Sequence, residues 1–476
     1  MSIYNFDDQE GRDHESMEDK IRHYRNAIRQ GKIEEDPPSP ETLEEIIYYC
    51  MENENFNDAL EFGRIWTKVE PYSSDAWLKL GIIESNLERF SESLLSFDKA
   101  LEISPMDTYS LIQKALSFAK LGQNSNAMDL IDTALTLEPD NEEAVFHKGM
   151  ILEIQFKFNE AIHLFEYLKG SKQFAKDALQ EIAFCYHYLE NYNQAIKYYN
   201  LAIDEDPFDY NLWYNLGVVH SQKEQHYKAV DCFEMSLAIN EEFFLSWHNL
   251  GNSFSSLGRL NESIKSYKEA LYLRRNDLET LYNLASVYGD LGNYVKAIKL
   301  FSKVINKRDT HYQSYFGRGV CYDAIDNWEK ALRDYNKALT LNKSNPDLWY
   351  AKADLLYNLN RFEESIECYR KVIELDPTNI DSWYDYGCTL FDYGKYVESE
   401  NAFMHLIELD PNWSEGYYSI AKCYAVQDRL EDCIKYLKKA IDLEKDRVDD
   451  LKNDFPDLVD EEKYDYLLKS VITKSD

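Results

Sequence analysis

The side chains best placed to do chemistry form two sets. Asn215, Asn249 and Asn283 recur every 34 residues, and a carboxamide both donates and accepts hydrogen bonds. Such a row could pair with a peptide backbone whatever its side chains. Further on, Asp323, Asp347, Asp354, Asp381, Asp385, Asp392 and Glu415 are interleaved with Tyr350, Tyr384 and Tyr418 against one base, Lys422. Carboxylates between aromatic rings suit a Lys- or Arg-bearing segment through charge pairing and cation–π contact. Catalytic patterns are missing. There is no phosphate-cradling Gly-rich loop, His-Glu-x-x-His or nucleophile elbow. His220 and His226, six apart, face different sides of a helix, and the eight Cys include no Cys-x-x-Cys pair. The expectation is a protein with no catalytic residues, no metal and no cofactor.

Composition narrows the setting. The net charge is −34, with 37 Tyr and only 17 Gly and 11 Pro. That mix favours a folded, mainly helical chain. The negative field repels nucleic-acid phosphates and anionic lipids and favours basic partners, although acidic solvated faces alone would also produce it. The groove positions are poor in Lys and Arg, which argues against nucleic acid. The N-terminus lacks the apolar core of a secretory signal, and no apolar run spans a membrane, so a cytoplasmic protein without membrane insertion is expected.

The elements that position these residues come from a register of 34. Trp77, Trp213, Trp247, Trp349 and Trp383 align, with Leu111, Val145, Leu179, Leu281, Tyr315 and Tyr417 in phase. Four residues later runs a column of Gly and Ala from Gly81 to Ala421. Twelve after that a second small column runs from Ser93 to Cys433, followed by an aromatic or aliphatic one from Phe97 to Leu437. The spacing i, i+3, i+4, i+7 at Trp77, Leu80, Gly81 and Glu84 marks one helix face. Small residues belong where two helices approach closely. Pro105, Pro139, Pro207, Pro377 and Pro411 punctuate unit ends, where a helix cannot continue.

This pattern resembles the tetratricopeptide repeat family. Twelve units are expected, at 40–73, 74–107, 108–141, 142–175, 176–209, 210–243, 244–277, 278–311, 312–345, 346–379, 380–413 and 414–447. The first unit is the most divergent, as a capping repeat with one unpaired side would be. Residues 1–39 divide into an acidic, disordered start, a short basic helix over 17–31 and a Pro-containing linker. Residues 448–476 are expected to form a capping helix and tail. The resemblance implies an all-α fold, a right-handed superhelical solenoid of stacked antiparallel helix pairs whose first helices line a concave groove.

With Ser74 as slot 1, family members meet ligands at slots 2, 5, 9, 12 and 13, often with slot 6. Slot 5 is largely aromatic (Phe146, Tyr214, Tyr282, Phe316, Tyr350, Tyr384, Tyr418), a choice that serves packing as well as binding. The slot-6 Asn residues are similar to the asparagine ladder of O-linked N-acetylglucosamine transferases, and Asn is also consensus there. A carboxylate clamp for heat-shock protein tails would need bases that this groove lacks. The expectation is a non-enzymatic adaptor holding a basic segment of another protein in its groove. The alternative is a scaffold that self-associates or assembles through its convex face or ends. The basic 17–31 helix could plug the groove, cap the first repeat or serve as a docking tag.

Overall fold

In the computed structural model, residues 17–30, 33, 37–445, 447, 450 and 454 are described. The expected segments 1–16 and most of 448–476 lie outside them. Every regular element among the described residues is an α-helix. The chain divides into two compact units, Met1–Glu241 and Glu242–Asp476.

Within each unit the helices come in pairs with a fixed division of labour. A first helix, such as Ser74–Asn86 or Phe244–Ser256, is followed by a second, such as Phe90–Ile103 or Leu260–Leu273. First helices usually open on a capping side chain that accepts a backbone N–H. Ser73 caps Ala76, Asp277 caps Thr280 and Asn379 caps Ser382, at 3.3, 2.9 and 2.9 Å. Second helices mostly lack a side-chain cap and follow a tight turn instead. That turn places one residue in the left-handed region at a constant spacing of 34, from Glu54 to Asp428. It is Gly at 122, 258, 292 and 394 and a residue with a Cβ at the other eight. Second helices end at Ile103, Leu137, Glu205, Leu375 and Leu409, each two residues before one of the prolines.

Close approach explains the small columns. A Cβ added to Gly81, Gly149, Gly217, Gly251 or Gly387 would stand 2.5–2.7 Å from the ring sixteen residues on, well inside contact distance. The second small column, Ser93 to Cys433, is wholly buried at every position. At three of its four Ser positions the hydroxyl pins the pair together, whereas Ser93 donates to Phe90 and to Ser117 of the next pair. Ser263, Ser365 and Ser399 donate to the carbonyls of Gly251, Ala353 and Gly387, each at 2.8 Å. The tryptophans tie one pair to the next. Trp77, Trp213, Trp349 and Trp383 donate an indole N–H to the carbonyl six residues earlier, at 2.9–3.0 Å. Tyr417 does the same through its hydroxyl.

Two stretches depart from the regular pattern. The second helix Phe158–Leu168 is short, and the next helix starts early at Ala175. Between them Ser171 donates to Glu142 at 2.6 Å and accepts from the N–H groups of Gln173 and Phe174. The basic N-terminal helix, Met17–Arg29, packs on the first pair. Ile21 joins the core of Leu43, Ile46 and Ile47, Lys20 pairs with Glu45, and Arg25 pairs with Asp58. Of the three positions open to it, the helix lies against the first repeat.

Candidate functional site

First helices of neighbouring pairs touch one another, as between Phe244–Ser256, Leu278–Asp290, Tyr312–Asp323 and Pro346–Asn358. Among the described residues second helices show no comparable contact, so first helices line the inner side of this stretch. The surface they share carries the expected groove residues in the unit 242–476.

The slot-5 aromatics have a double duty. Six of the seven rings lean on the slot-24 ring of their own pair: Phe146 on Phe165, Tyr214 on Phe233, Tyr282 on Phe301, Phe316 on Tyr335, Tyr350 on Tyr369 and Tyr384 on Phe403; for Tyr418 that slot is Leu437. Centroids lie 5.5–6.0 Å apart. The ring bodies are therefore core. Three hydroxyls reach the acids. Tyr350 donates to Asp385, Tyr384 to Glu415 at 3.3 Å and Tyr418 to Asp454 at 3.0 Å. Two turns further along the first helix, Tyr357 donates to Asp392 at 2.6 Å. The acids and tyrosines that alternate in the sequence are thus partners of each other, a link missed in the sequence. The signal was the spacing of 35 that separates Tyr350 from Asp385 and Tyr357 from Asp392.

A second regularity also went unread. Asp323, Asp354 and Asp385 are separated by 31 residues each, which steps diagonally across three successive first helices. Burial raises the pKa of all three, and Asp354 adds repulsion at Asp323 and Asp385. Tyr335 and Tyr350 work the other way at Asp323 and Asp385, by donating to the carboxylates. Asp354 is exposed as a residue, yet the protein atoms around its carboxyl are enough to raise it. Tyr357 is pushed up to about 12, chiefly by its hydrogen bond to Asp392.

The same diagonal upstream holds amides. Asn283 donates to Asn252 at 3.0 Å, Asn252 donates to Asn249 at 3.3 Å, and the Tyr267 hydroxyl donates to Asn252 at 2.6 Å. Asn252, which was not among the expected residues, is the centre of this network. Asn215 is half-buried and belongs to the other compact unit, 1–241.

The acidic surface ends in a cavity of about 220 Å³. Tyr357, Tyr384, Phe391, Asp392, Glu415 and Lys422 are among its walls. Beside it, Arg447 pairs with Glu415 at 2.5 Å while its guanidinium lies 5.6 Å from the Tyr418 ring centroid. Lys422 pairs with Asp454 at 3.3 Å. The arrangement can hold a planar cation between a carboxylate and a ring.

His220, one of the two histidines considered above, is buried beside Gln225 at 2.9 Å, and burial lowers its pKa. Among the described residues no group of three His, Cys, Asp or Glu is arranged to hold a metal ion. Among them too, no helix is long and apolar enough to cross a membrane.

Comparison with known proteins places the scaffold. The chain is 25% identical over 149 residues to superkiller protein 3 of Saccharomyces cerevisiae, covering 31% of this chain and 10% of that protein. It is 25% identical over 142 residues to the BBSome complex member BBS4 of Bos taurus, covering 30% and 27%. The matched stretch thus spans about a quarter or less of these relatives. Among solved structures it is similar to the C-terminal part of a repeat-containing protein from Cytophaga hutchinsonii. That match has 20% identity and a TM-score of 0.43, and it covers 50% of this chain and 97% of that one. Tetratricopeptide repeat models match residues 74–106, 177–209, 210–243, 276–344, 346–379, 368–401 and 414–447, and a TPR repeat model matches 251–292. These segments cover more than half of the sequence, and the chain belongs to the tetratricopeptide repeat family.

Proposed function

We propose that this protein is a non-enzymatic, cytoplasmic adaptor whose first-helix groove holds a Lys/Arg-bearing segment of a partner protein within 312–447. The contacts assigned to that segment are Asp323, Tyr350, Asp354, Tyr384, Asp385, Asp392 and Tyr418. Asn249 and Asn283 supply backbone contacts upstream within the same compact unit. The observation that carries the reading is internal. Arg447 already sits on this surface, paired with Glu415 and over Tyr418, as an arginine of a ligand would. The raised Asp323, Asp354 and Asp385 support it as well, because an incoming cation would relieve the mutual repulsion of these carboxyls.

The test uses a fluorescein-labelled oligo-arginine peptide and anisotropy across a salt series. Asp354→Lys with Asp385→Lys should weaken binding by about tenfold or more and flatten its salt dependence. Glu363→Lys with Glu367→Lys, an equal charge change on an exposed second helix, should leave it nearly unchanged. Equal losses in the two variants would sink the groove reading and leave only the general charge of the protein.

A further inference from the structure

The charge of −34 is unevenly distributed. Residues 244–345 contain fifteen Lys and Arg against ten Asp and Glu, so this stretch is net basic inside a strongly acidic chain. The excess lies on second helices. Helix Tyr294–Lys307 carries Lys296, Lys299, Lys303 and Lys307 with no carboxylate at all.

The bases are in register across neighbouring pairs. Lys265, Lys299 and Arg333 share slot 22, and Lys303 and Lys337 share slot 26. Each pair repeats the same geometry, so equal slots present equal faces and these five form two short ladders across three second helices. All five are exposed, and among the described residues none of them forms an ion pair. Neighbouring bases behave differently. Arg259 pairs with Glu262, Arg361 with Glu364 and Lys371 with Glu374.

Stability alone does not favour this arrangement. Like charges at i, i+3 and i, i+4 along Tyr294–Lys307 repel and weaken the helix. Lys296, in the first turn, also opposes the helix dipole. The ladder is bounded as well. Thirty-four residues before Lys265 slot 22 holds Asp231, and thirty-four after Arg333 it holds Glu367.

We propose that this basic ladder docks an acidic segment of another protein, laid across the second helices Leu260–Leu273, Tyr294–Lys307 and Trp328–Leu341. The bounded length selects a short polyanion over a nucleic acid, whose continuing phosphates would run onto carboxylates beyond Glu367. Tyr272, 76% exposed and one turn from Lys268, adds an apolar contact that a protein segment can use. This surface is separate from the first-helix groove and does not depend on it.

The probe is a fluorescein-labelled oligoglutamate peptide of about fifteen residues, followed by anisotropy at low salt. The triple variant Lys265→Glu, Lys299→Glu, Arg333→Glu should bind it about tenfold more weakly or worse, with unchanged helicity and undiminished oligo-arginine binding. If the triple variant does not fold, Lys303→Glu with Lys337→Glu provides the same comparison. Equal oligoglutamate binding by variant and parent overturns the proposal. So does stronger parent binding to an oligodeoxythymidylate of equal charge. Low-salt dimers in sedimentation that the variant abolishes would make the occupant a second copy of this chain, which also overturns it.

Discussion

Residues 244–311 and 312–413 place side chains on the same diagonal of first-helix slots and fill it with opposite chemistry. Upstream, Asn252 and Asn283 satisfy one another, because a carboxamide carries its own donor and acceptor. Downstream, Asp323, Asp354 and Asp385 can only accept when ionised. Asp323 and Asp385 therefore take protons in hydrogen bonds from Tyr335 and Tyr350 and still titrate high. One scaffold thus presents amides that satisfy one another beside carboxyls that repel. The clefts differ less: the upstream one, about 590 Å³, sets Asp277 and Glu279 against Arg308 and His311, and the downstream cavity sets Asp392 and Glu415 against Lys422.

The largest expected break in this comparison is at the seam between the two segments. Arg318 holds Asp334 with two hydrogen bonds at 2.7 and 2.8 Å and reaches back to Ser302 at 2.9 Å, while Asp334 is only 4% exposed. Arg318→Ala should cost about 3–5 kcal/mol in denaturant unfolding, because it strands a buried carboxylate. A loss below about 1 kcal/mol would mean that the pair is solvated and the seam is not special.

Acidification sharpens the contrast next. A carboxyl whose pKa is raised by folding binds more protons folded than unfolded, so it destabilises most above its folded pKa. Stability returns as pH falls through that value. Hydrogen exchange, corrected for its intrinsic rate, should therefore slow in first helices Tyr312–Asp323, Pro346–Asn358 and Ile380–Asp392 as pH falls from neutral toward the ordinary carboxylate range. It should not do so in Leu278–Asp290. Asp354→Asn with Asp385→Asn should remove most of the effect, and its survival in that variant would assign it to other groups.

The smallest effect concerns the turns between paired helices. The amide segment uses Gly258 and Gly292 at the left-handed position, whereas the acid segment uses Asp326 and Asn360 before Gly394. Asp326→Gly should raise stability by about 0.5–1 kcal/mol, since Gly enters this region without a Cβ penalty. Thermal unfolding that moves down would show that the Asp326 side chain contributes more than its strain.

Most of the scaffold was legible because it obeys one period. Trp349, Ala353, Ser365 and Tyr369 declare a helix pair by type and spacing alone. The candidate site was legible only in part. Residue types marked Asp354 and Asp385 as groove acids, but their partners follow steps of 31 and 35, which a search at 34 passes over. Those steps depend on how one helix is rotated against the next, and that is set by packing at Gly and aromatic contacts. The left-handed turns were hidden for another reason. Glu88, Phe156 and Asn360 share a backbone conformation and no side-chain property. The early stop of Phe158–Leu168 was equally silent, since it depends on the local bonds of Ser171.

The tryptophans that tie one pair to the next have an optical consequence. Among the described residues, Trp77, Trp213, Trp349 and Trp383 are each bonded through the indole N–H to a carbonyl at a joint between pairs. Indoles dominate near-ultraviolet emission, so the unlabelled protein glows in large part from its joints. Its colour and intensity then report the wetting of those joints, rather than of an average interior.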